Sequence, residues 1–475
     1  MIYVPRPYQK IGLAHMLDNP RCGVWAGMGM GKTLISLAMV DLLRLSGDTD
    51  PVLVLAPMRV ARDTWPDELA RWETFEYLKS SAVVGTPDQR KAALATPADI
   101  YTTNYDQLPW LLEQFGDAWP FRTVIADEAT RLKSLRVSIQ TSKRGKEWLQ
   151  KNGGGSRAKA LAGVAFKQVS RFVELTGTPA PNGLQDLWGQ LWFLDGGARL
   201  GRSFDAFSQR WFRPDRSGYG VLPLPFADEQ IQDAVKDICM TLDPRDWFDL
   251  KQPIECVVKA VIPPKARKAY KDMERQMYLE IEGIGVEAFN AASKTMKCLQ
   301  LANGAIYTNE EATEWAEVHD AKIDALQSIV EEAAGMPLLC AYNFKSDLAR
   351  LKKAFPKGVD LSTKAGMAAF KAGNALVGFG HPASIGHGVD GLQLVSNIVV
   401  FFGHWWTSDE RQQFIERVGP VRQEQAGMNR PTYVYDICAE RTIDEVVLEK
   451  HRKKISTQEA LLNSCNQYRK SGTAS

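Results

Sequence analysis

Two stretches decide the fold: Ala26-Gly27-Met28-Gly29-Met30-Gly31-Lys32-Thr33, and Val124-Ile125-Ala126-Asp127-Glu128. The first follows the apolar pair Val24-Trp25 and opens a helix-forming run from Leu34 to Leu43. Glycine at 29 and 31 lets the backbone around Met30 curl until its N–H groups converge on an anion. Lys32 is then placed to reach the β and γ phosphates of a nucleoside triphosphate, and Thr33 to ligate Mg2+. In the second stretch an apolar strand ends in two carboxylates, Asp127 to hold the metal and Glu128 to orient or deprotonate the attacking water. Either stretch alone has a structural explanation, a strand-to-helix turn for the first and a helix N-terminus for the second. In this order and at this distance they imply binding and hydrolysis of a nucleoside triphosphate with Mg2+.

Working outward, the 475 residues are 45% hydrophobic and 24% charged, ordinary globular composition with room for two to four domains. The longest apolar runs, Val52 to Ala56 and Ile398 to Phe402, are strand-length, far short of the ~20 residues that span a bilayer. The opening residues show no secretory signal pattern, and the 7 cysteines include no Cys-x-x-Cys pair. Reduced core thiols in a cytoplasmic protein are expected, not a zinc site or a disulfide framework.

Charge is unevenly placed. Residues 131 to 171 carry eleven basic side chains against Glu147 alone, a net +10 that leaves −8 on the remainder of a chain totalling +2. Such a bipolar chain can focus a polyanion onto one region. Lys133, Arg136, Lys143, Arg144 and Lys146, just beyond Asp127-Glu128, are the candidate nucleic-acid contacts. The alternative is a set of solvated surface helices. Within the stretch, Asn152-Gly153-Gly154-Gly155-Ser156 reads as a mobile loop.

Apolar strands alternate with helical segments twice. Strands are predicted near Gly23 to Ala26, Val52 to Ala56, Ile100 to Thr103, Thr123 to Asp127 and Phe172 to Thr176, and again at Leu338 to Tyr342, Ala375 to Gly378, Ile398 to Phe402 and Thr432 to Cys438. Between the two runs lie aromatic and charged segments, including the helical Lys265 to Glu282. The expected organisation is a first α/β lobe over 1–196, a helical extension and linker over 197–312, a second lobe over 313–455 and a tail over 456–475. Trp110 with Trp119, and Trp211 with Phe212, suit core packing better than base stacking.

From Arg6 to about Lys454 the chain resembles the Swi/Snf-type DNA translocases of helicase superfamily two, in the short form of phages and bacteria. Arg6-Pro7-Tyr8-Gln9 is similar to the family's opening motif, which implies that Arg6 and Gln9 meet the nucleotide, Gln9 at the adenine edge. Val52 to Pro57, with Trp65 and Glu68 beyond, resembles the segment that touches the track. Asp127-Glu128-Ala129-Thr130 stands where the family has Asp-Glu-Ala-His, a departure at a coupling position. Leu175-Thr176-Gly177-Thr178-Pro179 matches the motif whose hydroxyls link nucleotide state to nucleic-acid grip. Further on, Cys298 to Gly304, His319 to Lys322, Ser384 to Leu394, Trp406 and Thr442 to Glu445 resemble second-lobe segments, the last one bracing the two lobes. In the final motif Gln413 and Arg417 fit, but Pro420 occupies the second arginine's place and Arg422 follows two residues later.

The resemblance implies two RecA-like parallel-sheet lobes in tandem with a helical extension, and a DNA-stimulated ATPase that moves along double-stranded DNA. Arg417 or Arg422 would supply the arginine finger, and Thr176, Gly177 and Thr178 the coupling. A monomer is expected, with a recruiting protein open and no membrane partner. A strand-separating helicase, a motor subunit of a restriction-type system, and an ATP-gated DNA clamp with little turnover are the alternatives.

Overall fold

The computed structural model describes residues 2–27, 29–141, 147–181, 183–214, 221–248, 250–282, 288–385, 389–428 and 430–452. These form two compact units that divide between Phe248 and Asp249.

The first unit is built on a seven-stranded sheet in the order Cys239–Leu242, Arg21–Ala26, Arg171–Thr176, Thr123–Asp127, Val52–Ala56, Ile100–Asn104, Ser80–Ala82. Every pairing in it is parallel. Parallel strands need both faces covered, which explains near-continuous apolar runs such as Val52–Ala56, buried throughout. Successive residues supply opposite layers. Trp25, Leu53, Val124 and Phe172 enter one apolar layer, while Val24, Val54, Ile125 and Val173 enter the other.

The second unit repeats the plan with six parallel strands, ordered Ile254–Ala260, Tyr433–Ala439, Ile398–Phe401, Leu338–Ala341, Val377–Gly380, Val359–Asp360. The α/β class and both parallel sheets therefore agree with expectation.

The middle of the chain divides differently from the expected extension over 197–312. Helices Phe204–Trp211 and Ala227–Val235 pack into the first unit's core, with Trp211 and Phe212 buried, and Cys239–Leu242 becomes that sheet's edge strand. Beyond Asp249, Ile254–Ala260 is the edge strand of the second sheet, and Tyr270 and Cys298 from helices Pro264–Glu282 and Ala288–Asn303 share a core with Ala439. Both edge strands escape a sequence reading because they are short or half-exposed.

A second difference follows Glu128. Leu135–Thr141 and Glu147–Gly154 pair antiparallel, so residues 152–154 of the expected loop lie in a strand, with Gly153 and Gly154 paired, and Ser156 begins a helix. Gly154 has φ +80°, and a Cβ there would lie 2.0 Å from Ser134 O, so glycine is needed for a close backbone approach at the base of this strand pair. The tail over 456–475 lies outside the described residues, and among those residues no helix is long and apolar enough to cross a membrane.

In the second unit a buried polar network ties the His319–Lys322 and Thr442–Glu445 segments together. Lys322 Nζ lies 2.6 Å from Asp444 Oδ2, both side chains fully buried, and donates to Asn303 Oδ1 at 2.8 Å. Asn303 Nδ2 donates to Asp347 Oδ2, and the Ala439 N–H to Asp444 Oδ2, each at 2.9 Å. Removing one partner of a buried pair strands the other charge. Lys322→Met should therefore destabilise the chain by about 3–5 kcal/mol in urea unfolding, and Lys322→Met with Asp444→Leu should recover much of that loss. A single variant as stable as the parent would show that Asp444 does not depend on the pair.

Candidate functional site

Parallel order brings four strand ends side by side, those of Arg21–Ala26, Arg171–Thr176, Thr123–Asp127 and Val52–Ala56. The loop beyond Ala26 has Gly29 at φ 79° and Gly31 at φ 73°, and it delivers the chain into helix Lys32–Leu45, with Thr33 in the first turn. Left-handed backbone at two near-adjacent positions, followed by a helix N-terminus, is the conformation that turns successive N–H groups toward an anion. Met30 is fully buried and anchors the loop, while Lys32 Nζ donates to Ala26 O at 2.7 Å and Gly27 O at 3.2 Å. Met28 lies outside the described residues.

Gln9, on helix Pro7–Asp18, lies over this loop. Its Oε1 accepts the Arg6 N–H at 2.9 Å, and a Cβ on Gly31 would meet its Nε2 at 2.5 Å. The carboxamide is thus fixed in direction by the helix start, with room left only because residue 31 has no side chain. The Arg6 guanidinium lies 5.9 Å over the Phe248 ring.

Asp127 is buried at the end of its strand. Its Oδ2 accepts Trp65 Nε1 at 3.0 Å, and Tyr105 OH donates to its backbone carbonyl at 2.9 Å. Burial pushes the carboxyl up from 3.8 to about 6, against the Trp65 hydrogen bond and the Lys32 charge, which favour ionisation. Among the described residues no group of three or more His, Cys, Asp or Glu could hold a metal by itself. A buried carboxylate fits Mg2+, which takes few protein ligands and completes its shell with phosphate oxygens and water.

Glu128 is held in the left-handed region, φ 65° and ψ 57°, a strained conformation for a residue with a side chain. Its N–H is taken by Leu175 O at 2.9 Å. Its Oε1 receives the hydroxyls of Thr176 at 3.0 Å and Thr130 at 3.1 Å, and Thr176 Oγ1 in turn accepts Thr178 N–H at 3.1 Å. A Cβ on Gly177 would lie 3.2 Å from Ala26 O, so the Thr176-Gly177-Thr178 turn lies directly against the glycine-rich loop. The sequence brought these motifs to notice one by one; the shared contact at Glu128 Oε1, including Thr130 at the departing position, needed the fold.

Other candidates are placed less simply. Trp65, expected to face a track, is 1% exposed and bonded to Asp127, and Glu68 accepts Trp72 Nε1 at 3.0 Å. Lys133 pairs with Asp186 at 3.1 Å. The Arg136 guanidinium lies 3.5 Å over the Phe204 ring and donates to Leu135 O at 2.7 Å. Both side chains are thus occupied within the unit, which gives their expected nucleic-acid role no support. Lys143, Arg144 and Lys146 lie outside the described residues. Among the described residues of the 131–171 stretch, Arg131 and Lys167 are exposed basic side chains.

In the second unit Arg417 is buried and donates to Val389 O at 2.7 Å, while Arg422 is ion-paired with Asp390. Both arginines therefore gather on one short segment, directly before Gly391-Leu392-Gln393-Leu394.

The Asp127 shift has a direct consequence. Because the folded value, about 6, exceeds the unfolded 3.8, this group's contribution to stability is full below 3.8 and is lost as pH rises through about 6. Asp127→Asn should raise the stability of the nucleotide-free chain at pH 7.5 by up to roughly 3 kcal/mol, with no gain at pH 3.5. Thermal unfolding of parent and variant at both values checks this, and an equal difference at both would exclude the titration as its source.

Comparison with known proteins places this geometry. A family model described as SNF2-related domain matches residues 8–147. The protein p41 of Acyrthosiphon pisum secondary endosymbiont phage 1 is 49% identical over 469 residues, covering 97% of this chain and 98% of that one. Protein CHROMATIN REMODELING 19 of Arabidopsis thaliana is 29% identical over 208 residues, covering 40% of this chain, and the match spans 25% of the plant protein's length. A Sulfolobus solfataricus SWI2/SNF2 ATPase core, solved in complex with dsDNA, overlaps with TM-score 0.43 at 19% identity over 98% of this chain and 97% of that one. The chain belongs to the Swi/Snf-type ATPases of helicase superfamily two.

Proposed function

We propose that the chain couples ATP hydrolysis to movement along double-stranded DNA. The observation that carries this reading is Glu128, whose Oε1 receives hydroxyls from both Thr176 and Thr130. A carboxylate held this way can orient a water without swinging toward the solvent. Its partner Thr176 belongs to the turn that lies against the glycine-rich loop, so nucleotide state and the Thr176–Thr178 turn share one contact chain.

In this reading the loop N–H groups and Lys32 hold the phosphates, Gln9 and Arg6 the base end, and Thr33 with Asp127 the Mg2+. Mg2+ would neutralise charge developing on the phosphates. Glu128 accepts the proton of the attacking water. Arg417 or Arg422 would serve as the arginine finger, and hydrolysis would change the hold on the track. DNA is favoured as the track by the concentration of basic residues over 131–171 and by a relative named for chromatin remodelling.

A second reading, an ATP-gated clamp with little turnover, is favoured by Pro420 and by the engagement of Arg417 and Arg422 with Val389 and Asp390. Phosphate release separates the two: a motor should be stimulated by duplex DNA, and Lys32→Ala should abolish the stimulation. Glu128→Gln should keep ATP and DNA binding while cutting turnover at least about 10²-fold. Movement itself is read from displacement of a triplex third strand, with a forked duplex left paired. Absence of DNA stimulation in the parent would end the motor reading, and unwinding of the fork would replace it with a helicase.

A further inference from the structure

Beyond strand Val52–Ala56 the chain passes Pro57 and makes one π-helical turn, Val60–Thr64, before helix Trp65–Arg71. The Trp65 N–H donates to Val60 O, five residues back, where an α-helix would use Ala61 O. Ala61 O is thereby freed, and the next donor in the widened register, residue 66, is a proline without an N–H. Thr102, fully buried in strand Ile100–Asn104, fills the gap: its hydroxyl donates to Ala61 O at 2.6 Å. Pro66 and Thr102 together keep the widened turn, since a buried carbonyl without a donor is unfavourable.

The effect of the turn is angular. One extra residue rotates all later side chains by about 100° around the helix axis. With that offset the buried indole of Trp65 meets Asp127, and Nε1 donates to Oδ2 at 3.0 Å. The chemistry of the donor suits a metal-holding carboxylate. An indole N–H is donor-only and uncharged, so it binds a carboxylate lone pair and fixes the rotamer without cancelling the negative charge. A lysine or arginine in its place would compete with the cation.

We propose that Trp65 is a positioning residue for Mg2+: its indole ties down Oδ2 of Asp127, leaving the other oxygen directed for the metal, and the turn held by Pro66 and Thr102 aims it. The inference rests on Asp127 being the metal-holding group. It also gives a physical path from the segment just beyond Pro57 to the nucleotide site. Burial alone would favour the protonated carboxyl, and the same hydrogen bond counters it.

The test uses the full chain with Trp65→Phe, which keeps an aromatic ring but no donor, and Thr102→Val, which leaves the indole in place and removes the hydroxyl that holds the turn. Circular dichroism establishes that each variant is folded. Mn2+ binding in the presence of a non-hydrolysable ATP analogue is read by electron paramagnetic resonance. Trp65→Phe should weaken Mn2+ binding by about 10–100-fold, and Thr102→Val should do so to a smaller degree. In an Asp127→Asn background, Trp65→Phe should have no further effect on Mn2+.

The outcomes separate the two levels of the argument. If Asp127→Asn alone leaves Mn2+ binding unchanged, the metal assignment falls and this inference with it. If Asp127→Asn weakens binding while folded Trp65→Phe does not, only the positioning role is overturned.

Discussion

A fully parallel sheet sends the carboxyl ends of all its strands to one edge, and the chemistry of the first unit depends on that constraint. Strands ending at Ala26, Thr176, Asp127 and Ala56 are neighbours in this order. The glycine-rich loop, the Thr176–Thr178 turn, the paired carboxylates and the segment leading to Trp65 are therefore adjacent because their strands pair. Chain connectivity alone would leave them scattered across 150 residues. Small side chains then set how closely the pieces approach: Gly177 lies against Ala26 O, and Gly31 leaves room for Gln9.

The site is assembled at a cost to stability. Asp127 is buried where its charged form is disfavoured, and Glu128 adopts a left-handed backbone that a glycine would take more readily. The Lys32 charge favours ionisation of Asp127, but among the described residues no cation hydrogen-bonds to either carboxylate. Each is instead surrounded by neutral donors: an indole N–H for Asp127, two threonine hydroxyls for Glu128. Neutral donors orient a carboxylate while leaving its charge for a metal or a proton, which is the property a hydrolytic site requires.

The second unit uses buried polar groups for a different purpose. Lys322, Asp444, Asn303 and Asp347 satisfy one another, and Arg411 pairs with Asp436 through both guanidinium nitrogens. These contacts join segments remote in sequence into one body. The His319–Lys322 segment, expected to lead into the second lobe, and the Thr442–Glu445 segment, expected to brace the two lobes, meet at the Lys322–Asp444 pair within the second unit.

The sequence by itself determined the α/β class, the central strands and the glycine-rich turn into the first-unit helix, because buried parallel strands are apolar runs and a left-handed loop before a helix demands glycine. Thr123 to Asp127 is legible on those grounds alone, with bounds equal to those observed. The edge strands Cys239–Leu242 and Ile254–Ala260 were not, since the first is only four residues long, the second is half-exposed, and the pairing of both is set by partners remote in sequence. Trp65 is the clearest division between the two kinds of knowledge. The family resemblance put it just beyond a segment that touches the track; only the π-turn, the buried Thr102 hydroxyl and the carboxylate of a neighbouring strand decided that it faces Asp127. Local sequence fixes propensity and periodicity, whereas the direction of a side chain after a one-residue helical offset depends on which distant group takes up the freed carbonyl.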